Sequence, residues 1–282
     1  MTLPTDLQTI LKGFSGPFAS WFLHVPSRSL FDAGEGITSF LGNRTYKVER
    51  VFLSHVHLDH VSGLLSFLTA RQAMRGQRDK PVTVYFSDDD RFADLIDTVG
   101  RRLPDDAPVE WKCIASGDRI AARNFTVEPF EAFHGLPAVG YRLLQTRTRL
   151  KPEFQQLTQA EIKEARSRKH AIEDEFQHPV FAYTGDTDPG LDPSLFRNCD
   201  LLVHEATFVD AADRRGEFHS TIEDAVRLAT ECGARRLLLH HFSQRYKWEF
   251  IAKITEDAIQ RVGFTGKSSL LMGYTEPPRW YE

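Results

Sequence analysis

The amino-acid sequence predicts an α/β protein in which two β-sheets pack face to face with helices on the outer surfaces. Short apolar runs typical of buried strands occur in two groups, one in each half of the chain, and each group is followed by amphipathic helical segments. No stretch rich in Pro, Gly or Ser separates the halves. We therefore expect one domain over residues 1–282.

In the first half, the elements are predicted from apolar periodicity and turn residues. Residues 20–34 contain two apolar runs around a Pro-Ser turn, and residues 51–53 form a brief buried strand. One helix is expected over 60–74, where apolar residues recur on one side, and another over 88–103, stopped by a proline. Further strands are expected at 81–86, 109–114, 124–132 and 139–144.

The second half begins with a polar segment, 147–178, that interrupts the series of apolar strands. Thr158 followed by Glu161 forms a capping box, which predicts a short helix ending near residue 169. A second helix is expected over 221–232, because Thr221 can cap its start and a glycine follows its end. The remaining strands are expected at 179–186, 200–207 and 235–242, and a last helix at 247–262.

Composition narrows the classes of function. The net charge of -4 gives no global positive field, so a nucleic acid would have to bind a local basic patch. The three cysteines have no paired spacing and predict neither a disulfide framework nor a thiolate zinc site. No signal-like segment and no apolar run of about eighteen residues occurs, so we expect a cytoplasmic protein without a membrane span.

The strongest chemical signal is the segment His55-Val56-His57-Leu58-Asp59-His60, which directly follows the short strand over 51–53. In an extended chain His55, His57 and Asp59 point to the same side, because side chains alternate with period two. Imidazole and carboxylate ligands suit zinc, and manganese or iron are also tolerated. Such a density of histidines is improbable for a solvated turn, so this segment predicts a metal site.

The pattern His-x-His-x-Asp-His at a strand end resembles the hallmark of the metallo-β-lactamase superfamily, whose fold is an αββα sandwich of two mixed β-sheets. The segment FDAGEG at 31–36 resembles the glycine turn that precedes this motif in the superfamily. HGLPAVGYR beginning at His134, YTGDT around Asp186 and LLLHHFSQRY around His241 follow in the expected order.

Two further motifs narrow the resemblance to the ribonuclease Z-like branch. HEATF at 204–208 and HST at 219–221 resemble segments of that branch, and the resemblance extends over 20–275. It implies that His219 protonates the leaving oxygen of a cleaved phosphodiester and that Glu205 orients this histidine. The chemistry agrees, because an alkoxide needs a proton donor that titrates near neutrality. The structural alternative makes His219 merely the residue before a helix.

The resemblance also implies two divalent metal ions as cofactors, with Zn²⁺ expected before Mn²⁺ or Fe. The implied ligands are His55, His57 and His134 for the first metal, Asp59, His60 and His241 for the second, and Asp186 between them. Each metal would keep a position for solvent, and a hydroxide shared by the pair and oriented by Asp59 would be the nucleophile. His240 lies on the opposite face of its strand from His241, and we expect it to pack in the core.

The sequence indicates the substrate less directly than it indicates the metal site. Ribonuclease Z cuts precursor tRNA, and typical members grip it with a long glycine-proline-rich arm between the positions of His134 and Asp186. Here that interval holds 147–178, which lacks glycine and is predicted to be either a reduced arm or a lid over the active site. Its candidate RNA contacts are Arg147, Arg149, Lys151, Arg166, Arg168 and Lys169.

Three functions stay open from the sequence. The first is a tRNA 3′-processing endonuclease, favoured by the HEAT and HST motifs. The second is a related metallohydrolase of a small phosphodiester or other ester, with 147–178 as a lid. The third is a non-catalytic binding protein on the same scaffold, which the intact ligand set disfavours. A homodimer is a further expectation, because relatives in this branch are often dimers.

Overall fold

The computed structural model describes residues 5–16, 19–73, 81–168, 170–214 and 218–273. Within these residues, two mixed β-sheets face each other. The first sheet contains six strands in sequence order: β1 (Leu11–Gly16), β2 (Ala19–His24), β3 (Ser29–Phe31), β4 (Arg50–Phe52), β5 (Val82–Ser87) and β6 (Val109–Ile114). The second contains seven in the order β13-β12-β11-β10-β9-β8-β7: β7 (Ile120–Ala122), β8 (Phe125–Phe133), β9 (Pro137–Leu150), β10 (Glu173–Tyr183), β11 (Leu202–Glu205), β12 (Arg236–His240) and β13 (Lys267–Leu270).

Helices cover the outer faces of both sheets. Those among the described residues are α1 (Thr5–Gln8), α2 (Ile37–Leu41), α3 (Leu58–Val61), α4 (Leu64–Ala73), α5 (Asp90–Gly100), α6 (Gln159–Ser167), α7 (Ile222–Glu231) and α8 (Trp248–Val262). Capping boxes at Thr158 and Thr221 start α6 and α7, as the sequence predicts. In the part of the chain that is described, no helix combines the length and the apolar character needed to cross a bilayer.

The core has three layers, one between the sheets and one under each group of helices. Between the sheets, Phe31 stacks on Phe52 at 5.5 Å between ring centroids, and Phe52 stacks on Tyr85 at 4.7 Å. A second apolar cluster lies under α7 and α8, and a third under α2, α4 and α5. This layering confirms the expected αββα sandwich, because each sheet buries both of its faces.

The helix expected over 60–74 is divided in the structure, and residue 74 lies outside the described residues. α3 ends at Val61, and α4 begins at Leu64. Gly63 causes the division, because its backbone packs against the turn after β3: a Cβ on Gly63 would lie 2.0 Å from the Gly34 carbonyl oxygen. This close approach fixes the loop that carries His57 and Asp59 against the first sheet.

The polar segment 147–178 is largely a β-hairpin. β9 and β10 pair antiparallel from Tyr141–Tyr183 out to Leu150–Glu173, and α6 lies at the tip. Beyond Leu144 the hairpin extends about 20 Å past the body of the sheet. His134 precedes β9 and Asp186 follows β10. The hairpin therefore points away from the candidate ligands, which favours the reduced arm over the lid among the two expectations for this segment.

Candidate metal centre

The loops at one end of the two sheets bring all seven predicted ligands together. The first sheet supplies the segment from His55 to His60, which leaves β4 and enters α3. The second sheet supplies His134 after β8, Asp186 after β10 and His241 after β12. Two groups of ligand atoms form, and Asp186 belongs to both: His55, His57, His134 and Asp186 in one, and Asp59, His60, His241 and Asp186 in the other.

In the first group, the ring nitrogens face one another around a common centre. His57 Nδ1 lies 3.1 Å from His55 Nε2 and 3.2 Å from His134 Nε2. Asp186 Oδ2 lies 3.7 Å from His55 Nε2 and 3.8 Å from His134 Nε2. Four lone-pair donors thus surround one small space, an arrangement that is unfavourable unless a cation or shared protons occupy it.

The second group has the same geometry. Asp59 Oδ2 lies 3.2 Å from His60 Nε2 and 3.1 Å from His241 Nε2. Asp186 Oδ2 lies 3.3 Å from His60 Nε2 and 3.4 Å from His241 Nε2. The same carboxylate oxygen of Asp186 is thus within 4 Å of a donor in each group.

These separations fit metal coordination. Ligand atoms at 2.0–2.1 Å from a tetrahedral ion lie about 3.4 Å apart, which is the middle of the observed range. Two buried atoms of candidate ligands, His60 Nε2 and Asp186 Oδ1, have no hydrogen-bond partner among the described residues. Since buried polar atoms are almost always satisfied, His60 Nε2, which faces the second group, is left for an ion. The donor set of imidazoles and carboxylates suits zinc, manganese or iron.

In most of these histidines, the ring nitrogen that faces away from the centre forms a hydrogen bond that fixes the ring. His60 Nδ1 lies 2.6 Å from Asp32 Oδ2, and His134 Nδ1 lies 2.9 Å from the Phe218 carbonyl oxygen. These oxygens only accept, so each Nδ1 carries the proton and each Nε2 presents a lone pair to the centre. His55 and His241 have matching contacts, to Ser54 Oγ at 2.9 Å and Thr207 Oγ1 at 2.9 Å.

At two of the candidate ligands the electrostatics favour the protonation state that binds a cation. Burial raises the pKa of Asp59, but the neighbouring imidazoles of His60 and His241 outweigh it and lower the pKa below its usual range. Burial, together with the neighbouring imidazole of His60, holds the pKa of His55 well below 6.5. Asp59 is therefore ionised and His55 neutral, which are the forms that bind metal.

His219 and Glu205 form a pair beside the metal cluster. His219 Nδ1 lies 2.9 Å from Glu205 Oε1, and the His219 ring lies 4.5 Å from the His134 ring and 5.3 Å from the His241 ring. Glu205 is fully buried and accepts hydrogen bonds from the backbone N–H groups of Thr187, Ser220 and Thr207. These bonds keep the carboxylate in place, so Glu205 fixes the direction of the His219 ring.

The histidines next to these positions have structural contacts. His240 is buried and stacks on Tyr183 at 5.7 Å, with Phe22 at 4.9 Å, so it packs in the core as predicted. His204 is also buried, and its Nδ1 lies 2.6 Å from the Glu205 carbonyl oxygen.

The predicted RNA contacts lie on the hairpin, far from the metal cluster. Arg147 pairs with Asp200 at 2.7 Å, Arg166 pairs with Glu173, and Arg168 pairs with Glu164 at 2.6 Å. Arg149 lies 5.4 Å over the Phe176 ring, and Lys151 is partly exposed near the tip. Lys169 lies outside the described residues. Several of these charges are thus already neutralised by carboxylates.

The sequence analysis missed the residues that hold the ligands in position. Asp32 accepts from the Ser54 backbone N–H at 2.7 Å, the Ser54 hydroxyl at 2.8 Å and the Tyr183 hydroxyl at 2.5 Å, besides His60. Its φ of 58° is a left-handed conformation that is uncommon for residues other than glycine, although aspartate adopts it more often than most. The available signal is its place in the segment FDAGEG, which resembles the glycine turn before the histidine motif.

An apolar rim surrounds the mouth of the metal cluster and was also missed. Leu58, Phe133 and Phe218 are exposed, although large apolar side chains are normally buried. Each directly precedes or follows a candidate ligand or His219 in the chain.

Comparisons with known proteins agree with this geometry. A family model described as a Beta-lactamase superfamily domain matches residues 27–242. A ribonuclease Z from Natronomonas pharaonis is 30% identical over 246 residues, which cover 78% of this chain and 79% of that protein. The chain also superposes on the metallo-beta-lactamase fold protein YhfI from Bacillus subtilis with a TM-score of 0.66 and 19% identity, covering 94% of this chain and 98% of that one.

Human tRNase Z, short form, is a further structural neighbour, with a TM-score of 0.60 and 21% identity over 94% of this chain and 95% of the human chain. The fold, the extent of these matches and the clustered His and Asp side chains lead to one assignment. The chain belongs to the metallo-β-lactamase superfamily, in its ribonuclease Z-like branch.

Proposed function

We propose that this chain is a phosphodiesterase with two metal ions, and that it cleaves RNA at a 3′ extension, as a tRNA-processing endonuclease does. The observation that supports this most directly is the meeting of two ligand groups at Asp186 beside the His219–Glu205 pair. A metallohydrolase needs only the first feature. Expelling a poorly acidic alkoxide also requires the second, which offers a positioned proton donor.

When bound, the metal ions supply positive charge against the phosphate and lower the pKa of water. The chain's own residues then bind and orient. Asp59, ionised and partly exposed, accepts a hydrogen bond from the attacking water and orients it. His219 lies between the His134 and His241 rings, where its Nε2 can deliver a proton to the leaving oxygen while Glu205 holds Nδ1.

Precursor tRNA is the first substrate to test, because curated relatives and a structural neighbour carry the names ribonuclease Z and tRNase Z. The hairpin supports this choice by extending away from the metal cluster, as an arm must in order to reach a distant part of an RNA. A homodimer stays a prediction.

The second candidate is hydrolysis of a small phosphodiester. One observation favours it: basic side chains of the hairpin such as Arg147, Arg166 and Arg168 are paired with carboxylates. A phosphate contact made by such a paired arginine contributes less to the free energy of RNA binding, because the carboxylate must first be displaced.

The two candidates separate when protein with Zn²⁺ or Mn²⁺ is given a 3′-extended precursor tRNA and bis(p-nitrophenyl) phosphate in parallel. The tRNA proposal expects correct 3′ trimming with a low KM. Cleavage of the small ester with an untouched tRNA would leave only the second candidate. Cleavage of neither by metal-loaded protein would contradict both.

A pair of variants tests the hairpin itself. Arg149→Gln with Lys151→Gln should raise the KM for precursor tRNA and leave turnover of bis(p-nitrophenyl) phosphate unchanged. The control replaces two exposed arginines near the end of α5, Arg101 and Arg102, with glutamine. Equal tRNA kinetics in the two double variants would remove the hairpin from substrate binding.

A further inference from the structure

A second group of charged side chains surrounds a cavity that has no contact with the metal cluster. The cavity has a volume of about 530 Å³. Its basic lining residues are Lys12, Arg28, Arg44, Lys47 and Arg123, and no carboxylate lines it among the described residues. This concentration of positive charge contrasts with the net charge of -4 of the whole chain.

The cavity lies at the end of the sandwich opposite the metal cluster. Arg28 directly precedes β3, whereas Asp32, which contacts the ligand His60, directly follows β3. The extended chain between them is about 13 Å long. Arg123 comes from the other sheet, in the turn between β7 and β8. The cavity is therefore formed jointly by the ends of both sheets.

A single carboxylate beside the cavity serves three arginines. Glu49 lies 3.0 Å from Arg28, 3.1 Å from Arg50 and 3.3 Å from Arg123. Burial raises the pKa of Glu49, but the hydrogen bond from Arg50 and the charges of all three arginines outweigh it and lower the pKa. Among the described contacts, one negative charge is thus shared by three positive ones, so this group of four side chains keeps a net positive charge beside the cavity.

The backbone of two lining residues is strained. Arg28 has a φ of 53° and Arg123 a φ of 63°, which are left-handed conformations that cost a non-glycine residue about 1 kcal/mol each. Of the three other non-glycine residues with positive φ in the described ranges, Asp32 and His241 belong to the metal centre and Asn198 does not. Both guanidinium groups are thus carried at the cavity on a backbone that only a glycine would adopt without strain.

We propose that this cavity binds clustered phosphate groups. Guanidinium groups match the geometry of phosphate oxygens and form charge-assisted hydrogen bonds with them. The volume is within the range of sites for small ligands, about 300–1,000 Å³, and accommodates an oligophosphate. The same chemistry fits the backbone of an RNA, so the phosphates come either from a free oligophosphate or from an RNA. The proposal does not depend on the hydrolytic function.

The test is calorimetric titration of metal-loaded protein with inorganic tripolyphosphate at low salt. The cavity variant is Arg28→Gln with Lys47→Gln, and the matched control is Arg227→Gln with Lys253→Gln on α7 and α8, which removes the same charge. Loss of two charge-assisted contacts should weaken binding about 30-fold in the cavity variant, with the control equal to wild type. Binding of tripolyphosphate to the metal ions affects all three proteins alike, so the difference reports the cavity.

A second titration distinguishes the source of the phosphates. If an oligouridine of about twenty nucleotides also binds the cavity variant more weakly than the control, RNA is the source of the phosphates. If the oligouridine binds both proteins with the same affinity, the source is a free oligophosphate. Lys47→Glu, a single change at an exposed position, guards against misfolding and should weaken tripolyphosphate binding with an unchanged Tm. Equal affinity of the cavity variant and the control for tripolyphosphate would overturn the proposal.

Discussion

Replacing Asp32 with asparagine should weaken metal binding although Asp32 is not one of the seven candidate ligands. The carboxylate is fully buried, and its Oδ2 accepts from the Ser54 hydroxyl, His60 Nδ1 and the Tyr183 hydroxyl. An amide group has one accepting oxygen and one donating nitrogen. With the nitrogen at the Oδ2 position, His60 Nδ1 would face a donor and would have to give up its proton.

The size of the loss in metal affinity depends on where the His60 ring proton goes. If Nδ1 becomes the acceptor, the proton moves to His60 Nε2, the atom that points at the second ligand group and has no hydrogen-bond partner among the described residues. A protonated Nε2 cannot bind a metal. Loss of such a supporting contact typically lowers metal affinity 10–100-fold, which corresponds to about 1.4–2.7 kcal/mol. We expect the second group, with Asp59 and His241, to lose its ion before the first group does.

The assay is a competition titration of zinc between protein and a chromophoric chelator at fixed pH, which resolves two binding events. Ser54→Ala is the matched control, because it removes the one hydroxyl that contacts both Asp32 and His55 Nδ1 and leaves the His60 contact intact. Asp32→Asn should weaken the second event by the stated factor, and Ser54→Ala should weaken it several-fold less. Two zinc ions bound by Asp32→Asn with wild-type affinity would refute the tautomer argument.

Three further predictions follow from buried or crowded groups. His219→Ala should slow cleavage of an ester with a poor alkoxide leaving group about 10²–10⁴-fold and that of a p-nitrophenyl ester far less, and equal losses in steady-state assays would contradict the proton-donor role. Burial lowers the pKa of His24 to about 4, so the unfolded chain takes up a proton below pH 6.5 that the folded chain refuses. The free energy of unfolding should fall by up to about 3 kcal/mol between pH 6.5 and 4, and urea melts of His24→Asn, compared with wild type, should lack this component. Gly63→Ala should lower the free energy of unfolding by about 2 kcal/mol or more, because its Cβ would meet the Gly34 carbonyl; a thermal melt identical to wild type would show that the loop can move aside.

Most of the fold could be predicted from the sequence because buried strands and amphipathic helices leave periodic apolar patterns. The hairpin could not be predicted in the same way. Its strands run through residues 145–150 and 173–178, which pair with each other and extend beyond the core. A strand that buries neither face shows no alternation of apolar and polar residues. The only hint was the alternation of threonine and arginine from Thr146 to Arg149, which favours an extended chain.

At the candidate site, the sequence identified groups whose chemistry is visible in the residue type. His55, His57, Asp59 and His60 stand together in the chain, whereas His134, Asp186 and His241 were found through the resemblance. The structure brings these seven together. The groups that orient them could not be found, because a backbone carbonyl such as that of Phe218, or a hydroxyl such as that of Thr207, acquires its role only from three-dimensional position.

The same contacts explain why the site requires both sheets at once. The first sheet alone supplies four ligand side chains, and the second supplies the carboxylate that lies close to donors in both groups. Two buried tyrosines of the second sheet connect the halves directly: Tyr141 donates to the Leu53 carbonyl at 2.5 Å, and Tyr183 donates to Asp32 at 2.5 Å. Burial and the charge of Asp32 hold the pKa of both phenols well above 10, so each remains a hydrogen-bond donor at neutral pH. The position of the second ligand group is therefore coupled to the packing between the sheets. The coupling runs through two hydrogen bonds that Asp32 accepts, one from Tyr183 in the core and one from His60.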